Sequence, residues 1–286
     1  MGGLPSVNGR IERLPTLPAV LANLFRALDD DHSSAQDIEK ILEHDQSTTS
    51  KLLSVANSAY YGLRHEVTSI ARAVVVLGLE EVRSICMGLV LSSMLHPHGF
   101  ADQESAAQLW RHALAVQQAA RALAGRCQGV SKDVALTAGL LHDLGWVVLM
   151  AYRPETWARL RASLAEEGLS LDQAEERLGF SHQEAGLALA RHWDLPPVLA
   201  ESLGWHHRPT ATLPHFQVTG LVHLADLLAG GLGQGPWHWA CPVDCPPWLG
   251  GALGLNAAQW RACQDEMQGR AGEMEALWTT LLGEGA

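Results

Sequence analysis

Thr137-Ala138-Gly139-Leu140-Leu141-His142-Asp143-Leu144-Gly145-Trp146-Val147-Val148-Leu149-Met150 decides how this chain folds. An imidazole and a carboxylate stand side by side in an otherwise apolar run. There is no proline, and the only β-branched residues are Thr137, Val147 and Val148, so the stretch reads as a buried helix. Burying a carboxylate without a partner is expensive. Asp143 therefore needs a proton, a cationic neighbour or a metal ion. Adjacent helical residues project about 100° apart, so His142 and Asp143 converge only on a point at the helix surface between them. A metal ion, a hydrogen-bond network and a helix–helix contact each satisfy that geometry.

Helical spacing continues on both sides. Val20, Leu21, Leu24 and Leu28 mark one helix over residues 19–28, which Asp29-Asp30-Asp31-His32 ends. Ser34 followed by Asp37 approaches a capping box ahead of Ile38, Ile41 and Leu42. Asp45-Gln46-Ser47-Thr48 opens a third helix, with Gly62 as its C-cap. Ser69 caps a fourth that Gly78 breaks, and a fifth runs from Leu79 until Pro97 and Gly99. Val74-Val75-Val76-Leu77 has strand composition but no hairpin partner, so it reads as helical. Residues 104–126 form a long helix with His112 on its apolar face. Beyond the central stretch come helices over 156–167 and 171–178, one capped by Ser181 with Glu184 completing the box, one over 197–203 and one over 215–228. His223 and Asp226 are near neighbours on the last of these. Residues 230–254 read as irregular, and 256–282 as a final helix. The fold class is all-α.

The chain has 286 residues, with 20 Lys and Arg against 31 Asp and Glu, giving a net charge of −11. No basic cluster supplies a grip on phosphates, so nucleic acid is not expected as a partner. Five cysteines in a chain this long argue against a disulfide framework; Cys241 and Cys245 have a zinc-like spacing without a second pair, so free thiols are expected. The start shows no secretory pattern and no charge-free apolar run reaches about 18 residues, so a cytoplasmic protein without a membrane span is expected.

The polar residues on apolar stretches are His112, His142, Asp143, His182, His206, His207 and Asp226. Their order resembles the HD superfamily of helical metal-dependent phosphohydrolases. That resemblance implies His112, His142, Asp143 and Asp226 as ligands of a divalent metal. Nitrogen and carboxylate donors suit Fe, Mn, Ni, Zn or Mg. His182, His206 and His207 match positions where two-metal relatives place further histidines; read alone, His182 is a helix-start residue and His206-His207 a polar turn. Leu14-Pro15-x-Leu17-Pro18, Asp45, Ala56-Asn57-Ser58-x-Tyr60-x-Gly62, Leu77-Gly78, Trp110-Arg111-His112, Gly179-Phe180-Ser181-His182 and Trp193-x-Leu195-Pro196 sharpen the resemblance to the HDOD family. It implies an N-terminal bundle over 14–100 packed on an HD-like bundle over 101–229. A flexible segment, 1–13, precedes them. A Trp/Gly/Pro-rich segment with a C-terminal helix, 230–286, follows; read on its own, its Trp237, Trp239 and Trp248 are expected to pack it onto the core.

The departures from the cyclic-dinucleotide phosphodiesterases count against that chemistry. Trp146 stands where they carry a Lys, Arg208-Pro209 follows the paired histidines, and no Gly-Tyr-Pro motif is present. The resemblance implies a bacterial signalling module that binds a protein partner or small ligand without catalysis. The alternative is a metal-dependent phosphohydrolase acting on a nucleotide or other phosphate ester.

Overall fold

The computed structural model describes residues 17–28, 34–42, 45–58, 60–95, 103–234 and 244–274. The expected flexible start, the Leu14-Pro15 opening, the stops at 29–32 and 97–99, Trp237, Trp239, Cys241 and the end of the last helix lie outside them. Among the described residues there is no strand, as the all-α reading requires. They form two compact units.

The first unit spans residues 17–95 and takes in 269–274. It contains α1 (Ala19–Leu28), α2 (Ala35–Leu42), α3 (Gln46–Ala56), α4 (Ile70–Leu77) and α5 (Leu79–Leu95). Their starts follow the caps in the sequence: Asp45 accepts from the Thr48 N–H, and Ser69 from that of Arg72. Leu21, Leu24, Ile38, Leu52 and Met87 close the core. One detail differs from expectation. α3 ends at Asn57, not Gly62, because the Asn57 amide donates to the Leu53 and Val67 carbonyls and accepts from the Val67 N–H. That side chain ties off the helix five residues early, and Gly62, at φ 55°, serves the following turn.

The second unit spans residues 103–268. Its helices are α6 (Gln103–Ala124), α7 (Lys132–Leu141), α8 (Gly145–Tyr152), α9 (Pro154–Ala165), α10 (Leu171–Leu178), α11 (His182–His192), α12 (Pro197–Trp205), α13 (Phe216–Ala229), α14 (Pro247–Ala252) and α15 (Ala257–Gly269). α6, α7 and α13 pack against one another, α11 packs on α8 and α12, and α9 bridges α8 and α10. Gly139 lets α7 approach α6: a Cβ there would stand 3.3 Å from Ala120 Cβ and from the Gln117 and Val116 backbone.

The central stretch is not one helix. α7 stops at Leu141 and α8 starts at Gly145, and the N–H groups of Leu144, Trp146 and Val147 bond carbonyls three residues back. This tightened turn carries His142 and Asp143. It is held there because Gly145 rests directly on the His182 carbonyl, where a Cβ would come within 1.8 Å of the oxygen. Residues 132–152 are apolar enough in composition to cross a bilayer, yet 89% of the apolar window is buried inside the unit. Every residue from Ala135 to Met150 is buried. At about 1.5–3 kcal/mol for each large aliphatic side chain, this packing is what holds two ionisable groups away from water. The expected irregular segment also contains α14, which starts on Pro247 at a position where proline needs no N–H partner.

Candidate metal centre

The residues that the sequence scatters over 115 positions converge in the second unit. α6 brings His112, the α7–α8 turn His142 and Asp143, the start of α11 His182, the end of α12 His206 and His207, and α13 Asp226. The Asp143 carboxylate lies at the middle. Its Oδ2 is 3.3 Å from His142 Nε2 and 3.6 Å from His112 Nε2; its Oδ1 is 3.4 Å from His206 Nε2 and 3.5 Å from His182 Nε2. Asp226 adds Oδ1 at 3.1 Å from His112 Nε2 and Oδ2 at 3.6 Å from His207 Nδ1. Asp143 thus presents one oxygen to each of two donor sets, His112–His142–Asp143 and Asp143–His182–His206–His207. Asp226 touches a histidine of each.

Sealing is nearly complete. Side chains of the group are at most 4% exposed except His207, at 16%. Ring partners fix the tautomers. His142 Nδ1 donates to the Gly139 carbonyl at 2.8 Å, and His206 Nδ1 to the Ser202 carbonyl at 3.0 Å. His182 Nδ1 faces Glu175 Oε1 at 2.6 Å. Because those partners only accept, each of the three rings turns a bare Nε2 inward when neutral. Three lone pairs then point at a carboxylate, which also only accepts, and His182 Nε2 stands 3.3 Å from His206 Nε2.

Protons resolve only part of this. Burial would lower His142, but the Asp143 charge overrides it and lifts the imidazole to about 9. Burial opposes a rise at His182 too, and Glu175 outweighs it. His206 is pushed down to about 4 by burial, and His207 well below its ordinary value for the same reason. Asp143 and Asp226 are held below the usual carboxylate range: burial works against this, and the surrounding imidazoles prevail.

The spacing fits a metal better than hydrogen bonds. Charge-assisted N–H···O bonds run about 2.7–2.9 Å, and neither Asp143 oxygen, both fully buried, has a hydrogen bond of acceptable geometry. Donor atoms held at about 2.0–2.2 Å from a transition metal lie about 2.8–3.6 Å from one another in octahedral or tetrahedral geometry. The nitrogen–oxygen distances of 3.1–3.6 Å fall in that interval. Imidazole and carboxylate together suit Fe, Mn, Ni or Zn more than Mg, which prefers an all-oxygen shell.

Glu175 and Gln183 escaped the sequence reading, and His223 entered it only as a neighbour of Asp226. Glu175 accepts from both Nδ1 and the backbone N–H of His182, at 2.6 and 2.7 Å. Its signal was present: with Leu171, Ala174 and Leu178 it lies on the apolar stripe of α10. Gln183 accepts from the His207 N–H at 3.0 Å, and His223 Nδ1 donates to the His206 carbonyl at 2.7 Å, so the His206–His207 turn is held from two sides. Trp146 stacks on His182, with centroids 4.4 Å apart and planes 11° from parallel. Cys86, Cys127, Cys245 and Cys263 are free thiols; Cys241 lies outside the described residues.

Comparison with known proteins yields one matching family description, the HDOD domain, over residues 14–209. An uncharacterised protein of Treponema pallidum (strain Nichols) is 30% identical over 218 residues; the match takes in 73% of this chain and 40% of that protein, so the chain spans less than half the length of this curated relative. An HDOD domain protein of unknown function from Geobacter sulfurreducens has a solved structure that superposes with a TM-score of 0.82 at 27% identity, covering 95% of this chain and 94% of that one. A candidate phosphohydrolase from Shewanella amazonensis SB2B superposes with a TM-score of 0.74 at 22% identity, covering 95% and 96%; at that identity the likeness is one of fold.

Proposed function

The chain belongs to the HDOD family, and from that premise we propose that it is a regulatory module of bacterial signal transduction built around a buried divalent-metal centre. His112, His142, Asp143 and Asp226 form one ligand set; His182, His206 and His207 join Asp143 in a second. The observation that carries the reading is the ring of Nε2 atoms turned toward a buried carboxylate at spacings too long for charge-assisted hydrogen bonds. A bound metal of this kind supplies Lewis-acid chemistry and, for Fe or Mn, redox chemistry. The chain's own groups do the rest. Gly139, Ser202 and Glu175 hold three rings in the Nδ1–H tautomer. The apolar walls of α6, α7 and α13 exclude water, and Asp143 joins the two sets.

Burial favours binding over turnover. A phosphate ester has to reach the centre, and among the seven groups only His207 has appreciable exposure. Trp146, fully buried, fills the position of the Lys found in cyclic-dinucleotide phosphodiesterases. The module therefore acts from the cytoplasm through a protein partner or small ligand whose affinity depends on the loaded core. A second reading has a specific observation behind it: the ligand set is complete, as a metal-dependent phosphohydrolase requires. One assay separates them. Metal-loaded protein is incubated with cyclic dinucleotides and bis(p-nitrophenyl) phosphate in the presence of Mn²⁺. The regulatory reading expects no turnover above the metal-only control. Metal-dependent hydrolysis lost in Asp143→Ala establishes the hydrolase instead.

A further inference from the structure

Glu175 stands apart from the other ring-orienting groups. His142 and His206 are oriented by carbonyls of Gly139 and Ser202, three and four residues back along the chain and thus beyond the reach of a side-chain substitution. His182 is oriented by a carboxylate from another helix. Glu175 on α10 is itself buried, and its Oε1 accepts from the His182 backbone N–H at 2.7 Å and from Nδ1 at 2.6 Å. The opposite constraint comes from Trp146, whose ring lies parallel to the imidazole at 4.4 Å. The ring is thereby fixed in tautomer by one contact and in plane by the other.

α10 is built to hold that carboxylate still. Ser170 and Gln173 form a full capping box at its start, and Gly179 closes it at φ 61°, a left-handed conformation that glycine adopts without strain. Asp172, on the same helix, pairs with Arg208 at 3.3 Å, next to His207. One ligand of the second set, His182, is therefore braced directly from α10.

We propose that Glu175 is a positioning residue for the second ligand set alone, fixing His182 as a metal ligand so that the two sets load as distinct sites. This rests on the metal-binding reading above. Carboxylate partners of ligating histidines fix the tautomer and raise ring basicity, and their loss typically costs about 10- to 100-fold in metal affinity. Glu175→Gln keeps the shape, removes the charge and offers an amide that can donate to Nδ1.

Cobalt(II) is titrated into the metal-stripped full chain, followed by calorimetry and by its visible absorption. Wild type is expected to show two classes of site. Glu175→Gln is expected to keep one class at wild-type affinity and to weaken the other about 10- to 100-fold, with an unchanged melting temperature of the metal-free chain. Equal weakening of both classes, or none of either, overturns the proposal and leaves the metal reading intact. Wild type that binds no cobalt overturns the metal reading itself, and this one with it. Should the variant fail to fold, ¹⁵N-histidine NMR of zinc-loaded wild type decides: His182 must carry its proton on Nδ1, and a proton on Nε2 overturns the assignment.

Discussion

At the scale of single residues the account depends on which atom of each ring faces inward. His142 is the informative case, because its pKa of about 9 in the metal-free centre means that it is protonated at neutral pH. To ligate, it must release that proton. Below about 9 a metal ion therefore competes with one proton at this ring, and apparent affinity rises with pH, by about tenfold per unit for this group alone, levelling off above. Calorimetric titrations at pH 6.5, 7.5 and 8.5 in buffers of different ionisation enthalpy check both the slope and the proton release. An affinity that is flat over this range, with no proton released, sinks the assignment of His142 as a ligand. Much of the residue-scale picture was legible beforehand, since His112, His142, Asp143 and Asp226 are polar residues embedded in apolar runs. Glu175 was not picked out. In a helix reading Leu-Asp-Gln-Ala-Glu-Glu-Arg-Leu, one buried acid looks like its exposed neighbours, and only its place on the apolar stripe betrays it.

At the scale of elements, the turn between α7 and α8 decides whether the centre exists. Periodicity alone read one continuous helix there, because all residues from Ala135 to Met150 are buried and no proline or charge cluster marks a break. The break is set by a tertiary contact, the seat of Gly145 on the His182 carbonyl, which local sequence does not encode. Gly145→Ala drives a Cβ into backbone oxygen at 1.8 Å, with no flexible side chain to give way. It should cost about 3 kcal/mol or more in stability and separate α8 from α11. A denaturant melt measures this directly, and a variant within about 0.5 kcal/mol of wild type contradicts the packing described. Helix starts were the most legible elements, since Asp45, Ser69 and Ser181 all cap as side-chain acceptors. The end of α3 was misjudged because Asn57 reaches ten residues on, to Val67.

At the scale of the whole molecule, helical spacing and the order of motifs sufficed for fold class and family, while the joining of seven ligand-type residues came from packing that brings α6, α7, α11, α12 and α13 around one carboxylate. An excess of acidic over basic groups, with five imidazoles gathered in one buried place, makes metal loading the property on which every functional reading turns. The most direct measurement is the metal content of the purified chain by inductively coupled plasma mass spectrometry, alongside Asp143→Ala, after equilibration with Fe, Mn, Ni and Zn and removal of unbound ions. The account predicts at least one tightly held transition-metal ion per wild-type chain and none in a folded Asp143→Ala variant. A wild-type chain that stays metal-free, or a variant that keeps its full complement, contradicts it.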